Sequence, residues 1–77
     1  MRSDTRQDIL KRFGAAVRVR RQSLGISQEE LAARADLHRT YVGDIERGLR
    51  NVSIKNIEKL ATALGCRPSE LFQDAEA

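Results

Sequence analysis

The 77-residue sequence predicts an all-α fold, a compact bundle of five short helices, and three observations carry that expectation. Apolar residues recur at three- and four-residue spacing, whereas no segment alternates apolar and polar residues for long enough to make a strand. Serines and a proline stand where helices would open, and glycines stand where they would close. No linker, internal repeat or low-complexity run divides the chain, so one domain over 1–77 is expected.

The first helix is expected from about Asp8 to Leu24. Ile9, Phe13, Ala16, Val17 and Leu24 fall along one stripe of it, and Gly25 supplies a stop. Ser27 and Glu30 have capping-box spacing, in which the hydroxyl accepts from the amide three residues on and the carboxylate reaches back. A second helix is therefore expected over about 27–34, carrying Leu31, Ala32 and Ala35 inward. A third runs over about 39–47 and ends at Gly48, a residue suited to a left-handed cap. Ser53 opens a fourth, over about 53–64, whose Ile54, Ile57, Leu60, Ala61 and Leu64 recur at helical spacing before Gly65. Pro68 suits the first turn of a fifth, over about 68–73, which turns Leu71 and Phe72 back onto the others.

Composition narrows the function. A chain of this length buries about 60% of its unfolded surface, so its core is small and help from a second subunit is unsurprising. An apolar share of 40% beside 32% charged residues argues against disorder. The net charge is only +3, but basic residues crowd the first two thirds of the chain and "QDAEA" makes its end acidic, a distribution that invites a polyanion. No apolar run is long enough to span a membrane, and "MRSDTRQDIL" has no stretch of signal-peptide type. A soluble cytoplasmic protein is expected, and the single Cys66 agrees with a reducing compartment. His38 and Cys66 have no ligand spacing, and there is no glycine-rich phosphate loop or nucleophile motif. No metal, cofactor, small-molecule substrate or catalytic activity is expected.

The third helix is the informative one. At ~100° per residue, Arg39, Thr40, Gly43, Asp44 and Arg47 share one face, while Val42 and Ile45 share the other with Tyr41 beside them. So few apolar anchors make it a presenting surface, and a helix ~10–12 Å wide matches the ~12 Å major groove of B-form DNA. Gly43 costs about 1 kcal/mol against alanine inside a helix. On the outward face its missing side chain would let a partner approach the backbone; equally, it would permit tight packing against the second helix.

The stretch "LGISQEELAARADLHRTYVGDIERG" resembles the helix-turn-helix of the phage-repressor-like (Cro and lambda-repressor) family, and the flanking helices and late "SELF" also fit, so the likeness covers Phe13 to Phe72. Within that family, "RTYVGDIERGLRNVS" is similar to the controller proteins of bacterial restriction-modification systems. The resemblance implies a small homodimer that binds double-stranded operator DNA and times expression of an endonuclease, with RNA polymerase a possible partner. Antitoxins and phage-type repressors share the architecture, and a protein-interaction adaptor using the last two helices is a further alternative.

Site residues follow from chemistry and resemblance together. Arg39 is the first candidate for base readout, since a guanidinium bonds guanine O6 and N7 bidentately. Thr40 can touch a thymine methyl or a phosphate. Asp44 can accept from cytosine N4 or instead orient Arg39 or Arg47. By resemblance, Arg39, Thr40 and Tyr41 match the reading segment, Arg50 and Asn51 the phosphate-contacting loop, and Gln28 the family's phosphate-clamping glutamine. Arg47 and Lys55 join the phosphate-contacting set, and Tyr41 divides between packing and a phosphate. Glu46 falls inward, where an unpaired carboxylate is costly, and the resemblance implies a pair with Arg21. Ile54, Ile57, Leu71 and Phe72 are the candidate dimer interface, or else internal core.

Overall fold

Several helix ends fall where a backbone group finds a local partner. The computed structural model describes residues 5–77, with side chains from Ile9 onward. The helices are α1 (Thr5–Ser23), α2 (Gln28–Ala35), α3 (Arg39–Glu46), α4 (Ile54–Leu64) and α5 (Pro68–Glu76). The absence of a leader expected from "MRSDTRQDIL" falls partly on residues 1–4, outside the described residues.

The caps follow the expected residues with two exceptions. Ser27 accepts from the Glu30 amide at 3.0 Å, and Ser53 accepts from that of Asn56 at 3.2 Å. The Glu30 carboxylate does not close a box on Ser27; it takes a bond from Arg34 Nε at 3.1 Å, one turn along α2, because a cation lies within reach there. A box-like closure occurs instead at α5, where Glu70 Oε1 accepts from the Arg67 amide at 2.8 Å. The second exception is the end of α2. Asp36 takes the left-handed conformation (φ 56°), its amide reaches back to Ala33, and the Leu37 amide bonds the Ala32 carbonyl at 2.9 Å.

Leu24 does not belong to the buried stripe of α1: the helix closes at Ser23, and Leu24 sits exposed in the following turn. The fifth helix runs three residues beyond the expected end, and Ala75 in that extra turn is buried. Phe13, Val17, Leu31, Val42, Ile45, Leu60, Leu64 and Leu71 form the core with five alanines. Helix α1 lies against α3 and α5, and α2 lies against α3 and α4. Arg20 Nε bonds Asp74 at 2.6 Å and Arg12 Nη1 bonds the Ala75 carbonyl at 3.2 Å, fastening α5 along α1.

Two glycines set how closely α3 approaches α1. A Cβ on Gly14 would collide with the Ile45 carbonyl oxygen and come within 2.8 Å of that of Glu46, so α1 meets the last turn of α3 backbone to backbone. Gly48, at φ +77°, ends α3 with its Cα against the Lys11 backbone.

Candidate nucleic-acid interface

Helix α3 is half anchor and half display. Val42 and Ile45 are fully enclosed by the core, while Arg39, Thr40 and Arg47 are exposed. Arg39 and Thr40 occupy its first turn, after His38, which holds the N-cap position without a side-chain cap bond. Arg39 makes no hydrogen bond or ion pair among the described residues, so its guanidinium is available to a ligand.

The mount beneath α3 is a buried polar network centred on Glu46, whose side chain is 2% exposed. Its Oε2 accepts from Arg21 Nε at 2.6 Å, and its Oε1 accepts from Arg21 Nη2 at 3.0 Å and Gln28 Nε2 at 2.9 Å. Arg21 Nη1 continues to the Ile26 carbonyl at 2.9 Å. The bond to Glu46 holds the Arg21 guanidinium above its ordinary pKa against the opposing pull of burial. One carboxylate on α3 thus ties together α1, α2 and the turn between them, as the Arg21 pairing expected.

Gln28 therefore has a structural duty beyond the phosphate clamp. One of its two N–H donors is committed to Glu46, leaving the other for a ligand. Its Oε1 also lies 3.4 Å from where a Gly43 Cβ would be, with Arg47 Nη1 at 3.5 Å from the same point. Gly43 is buried beneath these two side chains, so of the two expectations the structure favours packing against α2.

At the other end of α3 the charges are paired. Asp44, 18% exposed, accepts from Arg47 Nη2 at 2.5 Å and from Arg50 Nε at 3.3 Å. The Arg50 guanidinium also lies 5.2 Å from the centre of the Tyr41 ring, and the Tyr41 hydroxyl accepts from Asn56 Nδ2 at 3.0 Å. Tyr41 is half-buried, and this bond ties it to α4. Asn51 and Lys55 stand exposed in the loop and in the first turn of α4. Of the predicted site residues, the structure gathers Tyr41, Asp44, Arg47 and Arg50 into one cluster and leaves Arg39 and Thr40 apart from it, at the opposite end of α3. Asn56 escaped the sequence reading, since nothing in a helical stripe connects it to a tyrosine fifteen residues earlier.

The candidate dimer residues separate sharply. Leu71 is fully buried in the core of its own chain, the second of its two expected places, because α5 turns it inward onto the bundle. Ile57 is half-buried. Ile54 is 84% exposed, because it opens α4 beyond the reach of the core, and Phe72 is 39% exposed with its ring 5.5 Å from that of Phe13. Leu49, on the loop after α3, is also exposed. Among the described residues no helix is long and apolar enough to cross a membrane.

Residues 17–71 match the helix-turn-helix family. The control protein C.BamHI of Bacillus amyloliquefaciens is 57% identical over 61 residues, covering 78% of this chain and 75% of that protein. The restriction-modification controller protein C.AhdI from Aeromonas hydrophila matches in structure with a TM-score of 0.81 and 56% identity, over 82% of this chain and 96% of that one. The controller C.Esp1396I, solved as a tetramer in complex with its natural 35 base-pair operator, matches with a TM-score of 0.81 and 31% identity, over 88% of this chain and 90% of that one. The chain therefore belongs to the helix-turn-helix family and, within it, to the restriction-modification controller proteins.

Proposed function

We propose that this chain is a homodimeric transcriptional regulator acting in the bacterial cytoplasm, which inserts α3 into the major groove of a pseudo-palindromic operator and controls a restriction-modification system. The observation that carries the reading is the division of α3, with Val42, Ile45 and Glu46 locked into the scaffold and Arg39 and Thr40 presented, unencumbered, at its leading end. In this reading Arg39 addresses a guanine edge, worth about 1–3 kcal/mol of discrimination, and Thr40 addresses the neighbouring base or phosphate. Arg47, Arg50, Asn51 and Lys55 grip the backbone and fix register, and Tyr41 steadies Arg50. The remaining Gln28 N–H and the open amides of the α2 N-terminus take a phosphate.

One α3 touches too few base pairs for useful specificity, so two copies are required, with Ile54 and Phe72 at the two-fold interface and Ile57 at its edge. The paired helices would then stand about 34–36 Å apart, one turn of DNA. Likeness to C.Esp1396I, whose structure holds an operator, supports the ligand class.

The test is a fluorescence titration against a duplex that the protein selects from a randomised library and against a scrambled duplex of the same length. Arg39→Ala is expected to weaken selected binding by about tenfold or more and scrambled binding little. Arg50→Ala is expected to weaken both and to lower the salt slope by about one. Failure of the wild-type protein to bind any duplex at low ionic strength would overturn the proposal.

A further inference from the structure

A carboxylate on the DNA-facing side of α3 is electrostatically out of place. Asp44 is the one acidic residue among the side chains that α3 turns outward, and a phosphate-lined groove repels it. Yet it is only 18% exposed, held between Arg47 at the C-cap of α3 and Arg50 in the loop that follows, two arginines that both fall in the proposed phosphate-gripping set.

From this bridge, and resting on the function proposed above, we infer that Asp44 is a specificity-determining positioning residue, which holds Arg47 and Arg50 in one register and penalises DNA that does not present phosphates there. An arginine has five N–H donors, and Asp44 takes one from each partner, Nη2 of Arg47 and Nε of Arg50. Both side chains are more than half exposed, so their other donors can meet phosphates without any bond to Asp44 being broken. On an operator in register, phosphates meet these preset donors and the bridge persists. On random sequence, where binding is electrostatic and the protein slides between registers, each guanidinium must swing away to follow the phosphates. That movement strands a half-buried carboxylate beside a polyanion. The penalty therefore falls on the non-specific complex, and the stacking of Arg50 over Tyr41 makes the swing harder still.

The experiment uses Asp44→Asn on the full chain, with the selected and scrambled duplexes described above, across a range of salt. The variant is expected to gain affinity for the scrambled duplex by about fivefold more than for the selected one, the scale of two released surface ion pairs. Its salt slope on scrambled DNA should steepen by about one, because the released guanidinium groups then pair with phosphates. Asp44→Glu, which keeps the charge, should restore the wild-type slope, whereas a purely structural role would leave the slope unmoved in every variant. Three results would overturn the inference: an unchanged specificity ratio and slope, equal gains on both duplexes, or a loss confined to the selected duplex, which would make Asp44 a base reader. Each of these leaves the regulatory function standing if the wild-type protein discriminates between the duplexes. A wild-type protein that binds neither duplex overturns both readings together.

Discussion

Glu46 concentrates more structural consequence than any other side chain described. Three N–H donors converge on a carboxylate that is nearly removed from water, so truncating it strands the Arg21 guanidinium in a poorly solvated site. Glu46→Ala is expected to cost about 3–5 kcal/mol of folding stability, read as a fall in the urea midpoint. An unchanged midpoint would show that water replaces the pair at little expense. Cys66 gives a second residue-scale expectation. Burial pushes its thiol up from the ordinary value, with nearby Arg20 only partly opposing, so less thiolate exists at pH 8 in the folded chain than in the unfolded one. Iodoacetamide should therefore label Cys66 more slowly in buffer than in urea, and equal rates would contradict it. That Glu46 needs a partner was legible because an inward carboxylate demands one, and Arg21 as that partner came from the family resemblance. Gln28 as its third partner was not, since an amide eighteen residues away carries no spacing signal. Asp44 was legible only as an alternative, as pattern alone cannot tell a carboxylate that reads a base from one that steadies an arginine.

Among the elements, α3 depends least on its own propensity and most on what lies beneath it. An eight-residue helix is marginal alone, and two buried aliphatic residues, the Glu46 network and the close approach at Gly14 hold it in place. Gly14→Ala would gain about 1 kcal/mol of helix propensity, yet the added methyl meets carbonyl oxygens that cannot yield without moving α3 from α1. A net destabilisation of about 1–3 kcal/mol is expected, checked by thermal melting. A higher melting temperature would mean that the two helices separate freely. Helix starts were readable from Ser27, Ser53 and Pro68, and the end of α3 from Gly48. The Gly14 contact was not readable, because a glycine inside a helical stripe registers only as lost propensity until the facing backbone is known. The end of α2 was hidden for a related reason: Asp36 performs there what sequence rules assign to glycine.

The assembled molecule decides what a periodic stripe cannot. Ile54 and Leu71 look alike in sequence, both apolar and both at helical spacing, but one lies outside the bundle and the other at its centre. An apolar face spans an arc of a helix, and only the packed neighbours determine which edge of that arc stays uncovered. Ile54→Asp is therefore the clean probe of the proposed dimer, since it disturbs almost nothing internal, whereas Phe72→Asp would also break the tilted ring contact with Phe13. Sedimentation should show Ile54→Asp halving the mass with helicity retained, and an unaltered mass would place the two-fold contact elsewhere. The Glu46 network has a final consequence at this scale. In the proposed complex, with α1, α2 and α3 clamped to one carboxylate, neither copy of α3 pivots within its own bundle to suit a poorly spaced site. A misfit would then fall on the two-fold contact and on the nucleic acid, so base pairs at the operator centre would alter affinity through the stiffness of their stacking.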